Sequence, residues 1–164
     1  MTKDASVTNR IDPDSLGFLT GDLARLMRAA FEREIDRGAV PVTSAEARVL
    51  AHMARCGATR QNKLADRLGV APMSLTGFLD KLEQAGLIAR GTDPSDRRAK
   101  IVTLTPAADA VLEQIAQAGD RARTLARRDI SDADWALFRD VALRLRGNLE
   151  QARRAAVPGR GVPA

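Results

Sequence analysis

The sequence predicts a mainly α-helical fold carrying one small β-hairpin, and three observations support that reading. Apolar residues recur at intervals of three and four through most of the 164 residues, the spacing that lines one face of a helix. One segment breaks the rhythm: two short runs containing Ile, Val and Thr flank an Asp-Pro-Ser-Asp turn at residues 93–96. Two short helices joined by a glycine-containing turn stand directly before it, so the order is helix-turn-helix, then a hairpin wing.

The first helix is predicted over residues 14–37. Asp12 and Pro13 offer an N-cap and a proline at the first helical position. Leu16, Leu19, Leu23, Leu26, Met27, Ala30, Phe31 and Ile35 make one apolar face, and Gly38 with Pro41 ends it. A second helix opens at the capping box Thr43-x-x-Glu46, turns Ala45, Val49, Leu50 and Met53 inward, and ends near Gly57. A short third helix buries Leu64, Ala65 and Leu68 and stops at Gly69. Pro72 starts the fourth, with Leu75, Phe78, Leu79 and Leu82 inward and Gly86 beyond its end.

Strands are expected at residues 88–92 and 99–105, with Ile101, Val102 and Leu104 towards the helices and Lys100 and Thr103 polar. Thr105-Pro106 begins a long helix with a stripe of Ala108, Val111, Leu112, Ile115, Ala122 and Leu125. Ser131 caps the last helix, Asp132 and Asp134 suit its first turn, and Trp135, Phe138, Val141, Leu145, Leu149 and Ala152 form its stripe. The terminal helices carry more apolar surface than a small winged helix can cover, so the simplest partner is a second copy. The domain reading is therefore one folded domain over residues 12–156. Its winged helix spans 43–104, its dimerisation helices span 12–42 and 105–156, and residues 1–11 and 157–164 are flexible tails.

Composition removes several function classes. No apolar run reaches the ~18–20 residues of a membrane span, and the opening residues lack the hydrophobic core of a secretory signal. A single Cys and a single His leave no internal disulfide and no likeness to a structural zinc site. With no Tyr, no Gly-rich phosphate loop and no paired carboxylates on one face, little remains for acid–base or nucleophilic work. The expectation is a cytoplasmic non-enzyme without catalytic residues, metal or cofactor. Its net charge of +5 makes an anionic partner worth considering.

The polar residues around the helix-turn-helix are the candidates for that partner. Ser74, Thr76 and Lys81 fall off the buried stripe of the fourth helix and face outward, either as a solvated face or as groove contacts. Hydroxyls suit phosphates or base edges, and Met73 suits a thymine methyl. Gln61 and Asn62 open the preceding helix, where amides and the helix N-terminus can hold a phosphate. The wing is basic through Arg97, Arg98 and Lys100 and is read either as a charged hairpin tip or as a DNA element. The arginines Arg144, Arg146, Arg153, Arg154 and Arg160 read as the polar face of a dimerisation helix or as added attraction for DNA.

LADRLGVAPMSLTGFLDKLEQAGLIARGTDPSDRRAKIVTLTPAA resembles the core of the MarR family of bacterial transcriptional regulators, DPSDRRAKIVTLTP at residues 93–106 being its most specific piece. The resemblance implies a repressor that dimerises about a two-fold axis through its N- and C-terminal helices. Leu16, Leu19, Leu125, Trp135, Phe138, Leu145 and Leu149 would lie at that interface. The double-stranded DNA partner would be a pseudo-palindromic operator, with recognition helices in successive major grooves and wings over the flanking minor grooves. Arg98 would enter the minor groove, held by Asp96 through a charge-assisted hydrogen bond, and Arg97 would lie along phosphates. A small apolar or phenolic acid would release the DNA from a pocket to which Met27, Phe31, His52 and Met53 are the candidate contributors. Gly77 departs from the family pattern by standing where a long polar side chain is common. Either Met73, Ser74 and Thr76 do more of the reading, or the backbone approaches DNA closely at Gly77. The alternatives are a winged helix used for protein interaction and a regulator of DNA without an effector.

Overall fold

In the computed structural model, which describes residues 12–156, every predicted helix forms. The first, α1, runs Leu16–Arg37. It starts later than expected because Ser15 is the N-cap, while the carboxylate of Asp12 accepts the Asp14 backbone N–H at 2.9 Å in a turn before the helix. In α2, Ser44–Cys56, the capping box closes in both directions. The Thr43 hydroxyl accepts from the Glu46 N–H at 3.3 Å, and Glu46 Oε2 accepts from the Thr43 N–H at 2.9 Å. Helix α3, Gln61–Leu68, ends at Gly69 in the left-handed conformation (φ 65°). Pro72 then opens α4, Pro72–Gln84.

The sheet has three antiparallel strands where the sequence suggested two. A two-residue strand β1, Thr59–Arg60, joins β2, Ile88–Asp93, and β3, Asp96–Leu104, in the order β1-β3-β2. Thr59 pairs with Val102 and Arg60 with Ile101. The second wing strand begins earlier than expected, because Asp93 pairs directly with Asp96 and only Pro94 and Ser95 turn the chain. Arg97 and Arg98 consequently lie within β3 rather than at the hairpin tip. Thr105 ends the strand: its N–H bonds Leu87 O at 3.0 Å and its hydroxyl bonds Gly86 O at 2.6 Å. A 3-10 turn, Pro106–Ala108, leads into α5, Asp109–Ala126, and α6 spans Asp132–Ala155.

The chain divides into two compact units, Met1–Thr124 and Leu125–Ala164. In the first, the core draws Ile35 from α1, Leu50 and Met53 from α2, Leu64 and Leu68 from α3, Leu75 and Leu79 from α4, Val102 from β3 and Ile115 from α5. Of α1 only Ala30 and Ile35 are buried, and Leu16, Leu19, Leu23, Leu26 and Met27 are exposed. In the second unit Ser131 caps α6 by accepting the Asp134 N–H at 3.1 Å, and the Arg127 guanidinium lies 5.5 Å from the centre of the Trp135 ring. No side chain of α6 is buried. The tails expected at 1–11 and 157–164, with Arg160, lie outside the described residues. Among the described residues no helix is long and apolar enough to cross a membrane.

Candidate nucleic-acid interface

Three elements converge on one groove of about 430 Å³. The entry to α3 supplies Arg60, Gln61 and Asn62; the first turns of α4 supply Pro72, Leu75 and Thr76; β3 supplies Asp96, Arg98, Ala99 and Lys100. Six of the residues singled out in the sequence, namely Gln61, Asn62, Thr76, Asp96, Arg98 and Lys100, therefore share a wall. Met73, Ser74, Gly77, Lys81 and Arg97 are exposed but do not line it. Of the two neighbouring arginines of β3, only Arg98 reaches the groove.

Local bonds fix what each group can offer. The Thr76 hydroxyl donates to Pro72 O at 3.0 Å, so its oxygen presents lone pairs outward. Asn62 Oδ1 accepts from the Lys63 N–H at 2.8 Å, which leaves its amide hydrogens to donate. Lys81 Nζ lies 3.8 Å from Glu46 Oε1 and so leans on the capping box of α2. Asp96 does not hold the Arg98 guanidinium as expected; its carboxylate accepts the Arg98 backbone N–H at 3.1 Å. At the edge of a tight turn, the nearest donor is the main chain two residues on.

Two arginines that sequence reasoning missed hold the groove in shape. Arg60 Nε donates to Asp93 Oδ2 at 2.5 Å and its Nη2 donates to Ser95 Oγ at 3.1 Å, tying the wing turn to the entry of α3. Asp93, only 6% exposed, also accepts the Ser95 hydroxyl at 2.7 Å and N–H at 2.8 Å. The Ser95 hydroxyl and N–H, then Arg60, hold the Asp93 carboxyl down at about 2. Arg90 of β2 meets Asp80 Oδ1 at 2.7 Å, Glu83 Oε2 at 3.6 Å and Thr76 O at 3.4 Å, clasping α4 to the wing. The Asp-Pro-Ser turn was the signal for Asp93, whereas nothing in the spacing of Arg60 or Arg90 foretold their partners.

The remaining candidates are scattered. Met27 is exposed and Phe31 half-buried. Met53 is fully enclosed in the core, so it packs and offers no surface to a ligand. His52 is half-buried with Nδ1 enclosed and unpartnered; burial, then Arg55, Arg48 and Arg67, push its pKa down. Leu16, Leu19, Leu125, Phe138, Leu145 and Leu149 are exposed, and Trp135 is half-buried beneath Arg127. Arg144 pairs with Asp140 at 3.1 Å and Arg146 with Glu150 at 3.8 Å, bonds along one helix that fit its polar face. Among the described residues no cluster of His, Cys, Asp and Glu could hold a metal ion.

Residues 42–100, which contain this groove, match the model of the MarR family. The HTH-type transcriptional repressor MdtR of Bacillus subtilis (strain 168) is 37% identical over 74 residues, 45% of this chain and 48% of the repressor. The chain thus spans about half the length of that curated relative. Among solved structures, transcriptional regulator PA3341 is 34% identical, with a TM-score of 0.68 over 82% of this chain and 98% of its own. A crystal structure of MarR is 27% identical, with a TM-score of 0.74 over 88% and 98% of the two chains. A mutant MarR from E. coli complexed with operator DNA is 22% identical and shares the fold, with a TM-score of 0.66 over 86% and 99%.

Proposed function

The chain belongs to the MarR family of transcriptional regulators, and from that premise we propose that it binds operator DNA as a two-fold dimer and represses transcription. The single observation that carries this reading is the groove, where Gln61, Asn62, Thr76, Arg98 and Lys100 from three separate elements face one space. Amides at the start of α3 hold a phosphate, α4 enters the major groove, and Arg98 follows the adjacent minor groove. The 37% identical relative is a repressor, and the mutant MarR that shares the fold is complexed with operator DNA. In this role the chain is not an enzyme, and its place is the cytoplasm.

Dimerisation rests on the exposed apolar residues of α1 and α6, among them Leu16, Leu19, Phe138, Leu145 and Leu149. Release is by a small apolar or phenolic acid that shifts the spacing of the two recognition helices away from successive major grooves. Met27, Phe31 and His52 remain its candidate contacts, and coupling of ~1–3 kcal/mol would change operator affinity about 5–150-fold.

Fluorescence anisotropy with duplexes selected from a random pool tests the reading. Binding should weaken linearly in log–log form as salt rises, and Arg98→Ala or Lys100→Ala should weaken it further. Binding indifferent to both salt and these variants would sink it. Adding aromatic and fatty carboxylates to the complex checks release, and a promoter fusion distinguishes repression from activation.

A further inference from the structure

The part of α4 that leads the recognition helix is chemically unusual. From Pro72 to Leu79 it contains no charged side chain. The first charges, Asp80 and Lys81, are already engaged with Arg90 and Glu46. The bidentate arginine–guanine contact, the commonest specific one, is therefore unavailable to this helix face. What the face does offer is Met73, 88% exposed, with Thr76 and Gly77 three and four residues on and so on the same side. A Cβ built on Gly77 would meet nothing within 4 Å, so the helix face beside Met73 is open at that position. Beside it the Thr76 oxygen, its proton committed to Pro72 O, can only accept.

A thioether, a vacant side-chain position and an acceptor suit one base pair best. Thymine presents a methyl group to the major groove, and its partner adenine presents an amino donor. Guanine, with two acceptors, finds no matching donor at Met73, Thr76 or Gly77. We propose that each recognition helix selects a T·A pair by seating the thymine methyl against Met73 in the space left open at Gly77, with Thr76 accepting from the adenine amino group. The inference rests on the DNA-binding reading above and adds the base chemistry that the helix reads. It also assigns the glycine a role: any side chain there would occupy the space the methyl needs.

Replacing thymidine by deoxyuridine removes the methyl and leaves pairing intact, which isolates the contact. Duplexes are first selected from a random pool by the full-length protein, then each thymine of a half-site is replaced singly. The expected result is one position per half-site where deoxyuridine weakens wild-type binding about three- to tenfold, the scale of one buried methyl. The same replacement should leave Met73→Ala nearly unaffected, and Gly77→Leu should lose the preference for thymine there. Both positions are exposed, and circular dichroism checks that the variants remain folded. The inference is overturned if no deoxyuridine weakens binding, or if Met73→Ala keeps the full penalty. Failure to select any duplex above random DNA would instead bring down the DNA-binding reading itself, and this inference with it.

Discussion

Asp93 shows how much a single carboxylate can organise. Its acceptor oxygens take the Ser95 hydroxyl and N–H and the Arg60 guanidinium, and together these hold its pKa at about 2 against an ordinary 3.8. The folded state thus binds a proton less readily than the unfolded chain, so the contribution is complete above about pH 4 and is lost as pH falls towards 2. Asp93→Asn should lower the melting temperature at neutral pH, with the gap to wild type closing across that window; a gap constant with pH would contradict the assignment. His52 runs the other way in charge but the same way in pH. Burial and Arg55, Arg48 and Arg67 disfavour its protonated form, so stability should decline as pH drops below the ordinary value of 6.5. In His52→Gln that decline should be smaller, as thermal melts between pH 5 and 8 would reveal. Gly77 is the third instructive residue. With open space at its Cβ, Gly77→Ala should stabilise the helix by ~1 kcal/mol in a melting curve while weakening binding to the selected duplex.

At the scale of elements, the wing and the recognition helix are held by different arginines. Arg90 clasps α4 through Asp80 and Glu83 and is mostly enclosed. Arg90→Met should cost about 1 kcal/mol of stability, and should weaken operator binding more than binding to random DNA, because it loosens the aim of α4 more than the charge of the groove. Within β3 the two neighbouring arginines should separate in their effects. Arg97→Ala, off the groove, should reduce the salt slope by about one charge on any duplex, whereas Arg98→Ala should weaken binding most where the flanks are A·T-rich. The helices were legible because their caps and stops are local: Thr43 with Glu46, Gly69 and Pro72 act within a turn of themselves. Strand β1 was not, since two residues carry no period and their pairing depends on Val102 and Ile101 far along the chain. The hairpin was readable as a hairpin, but its register was not, so the strand start at Asp96 and the true partner of Asp96 emerged only from the structure. Most of the groove could be named from sequence because its outward-facing residues are those left off the buried stripes. Arg60 and Arg90 escaped because an ion pair between distant segments leaves no local mark.

At the scale of the whole molecule, α1 and α6 both leave large apolar side chains exposed. Phe138, 54% exposed, and Leu145 should be covered in a dimer, and light scattering at micromolar concentration should report one. Phe138→Asp or Leu145→Asp should give aggregation or unfolding, since obligate dimers rarely leave a stable folded monomer. A well-folded wild-type monomer at that concentration would refute the assembly. The short strand β1 has a kinetic consequence of its own. Helices α2, α3 and α4 are neighbours in sequence and can associate early, whereas the pairing of Thr59 with Val102 must wait until the intervening chain has folded back. The β1–β3 pairing should therefore close after the β2–β3 hairpin, whose strands are joined by a two-residue turn, and open before it. Thr59→Ala, which removes the hydroxyl bond to Gly57 O at 2.9 Å, should accelerate unfolding and leave the refolding rate nearly unchanged. In stopped-flow traces at fixed protein concentration, strand β1 would behave as the late-closing edge of the hairpin.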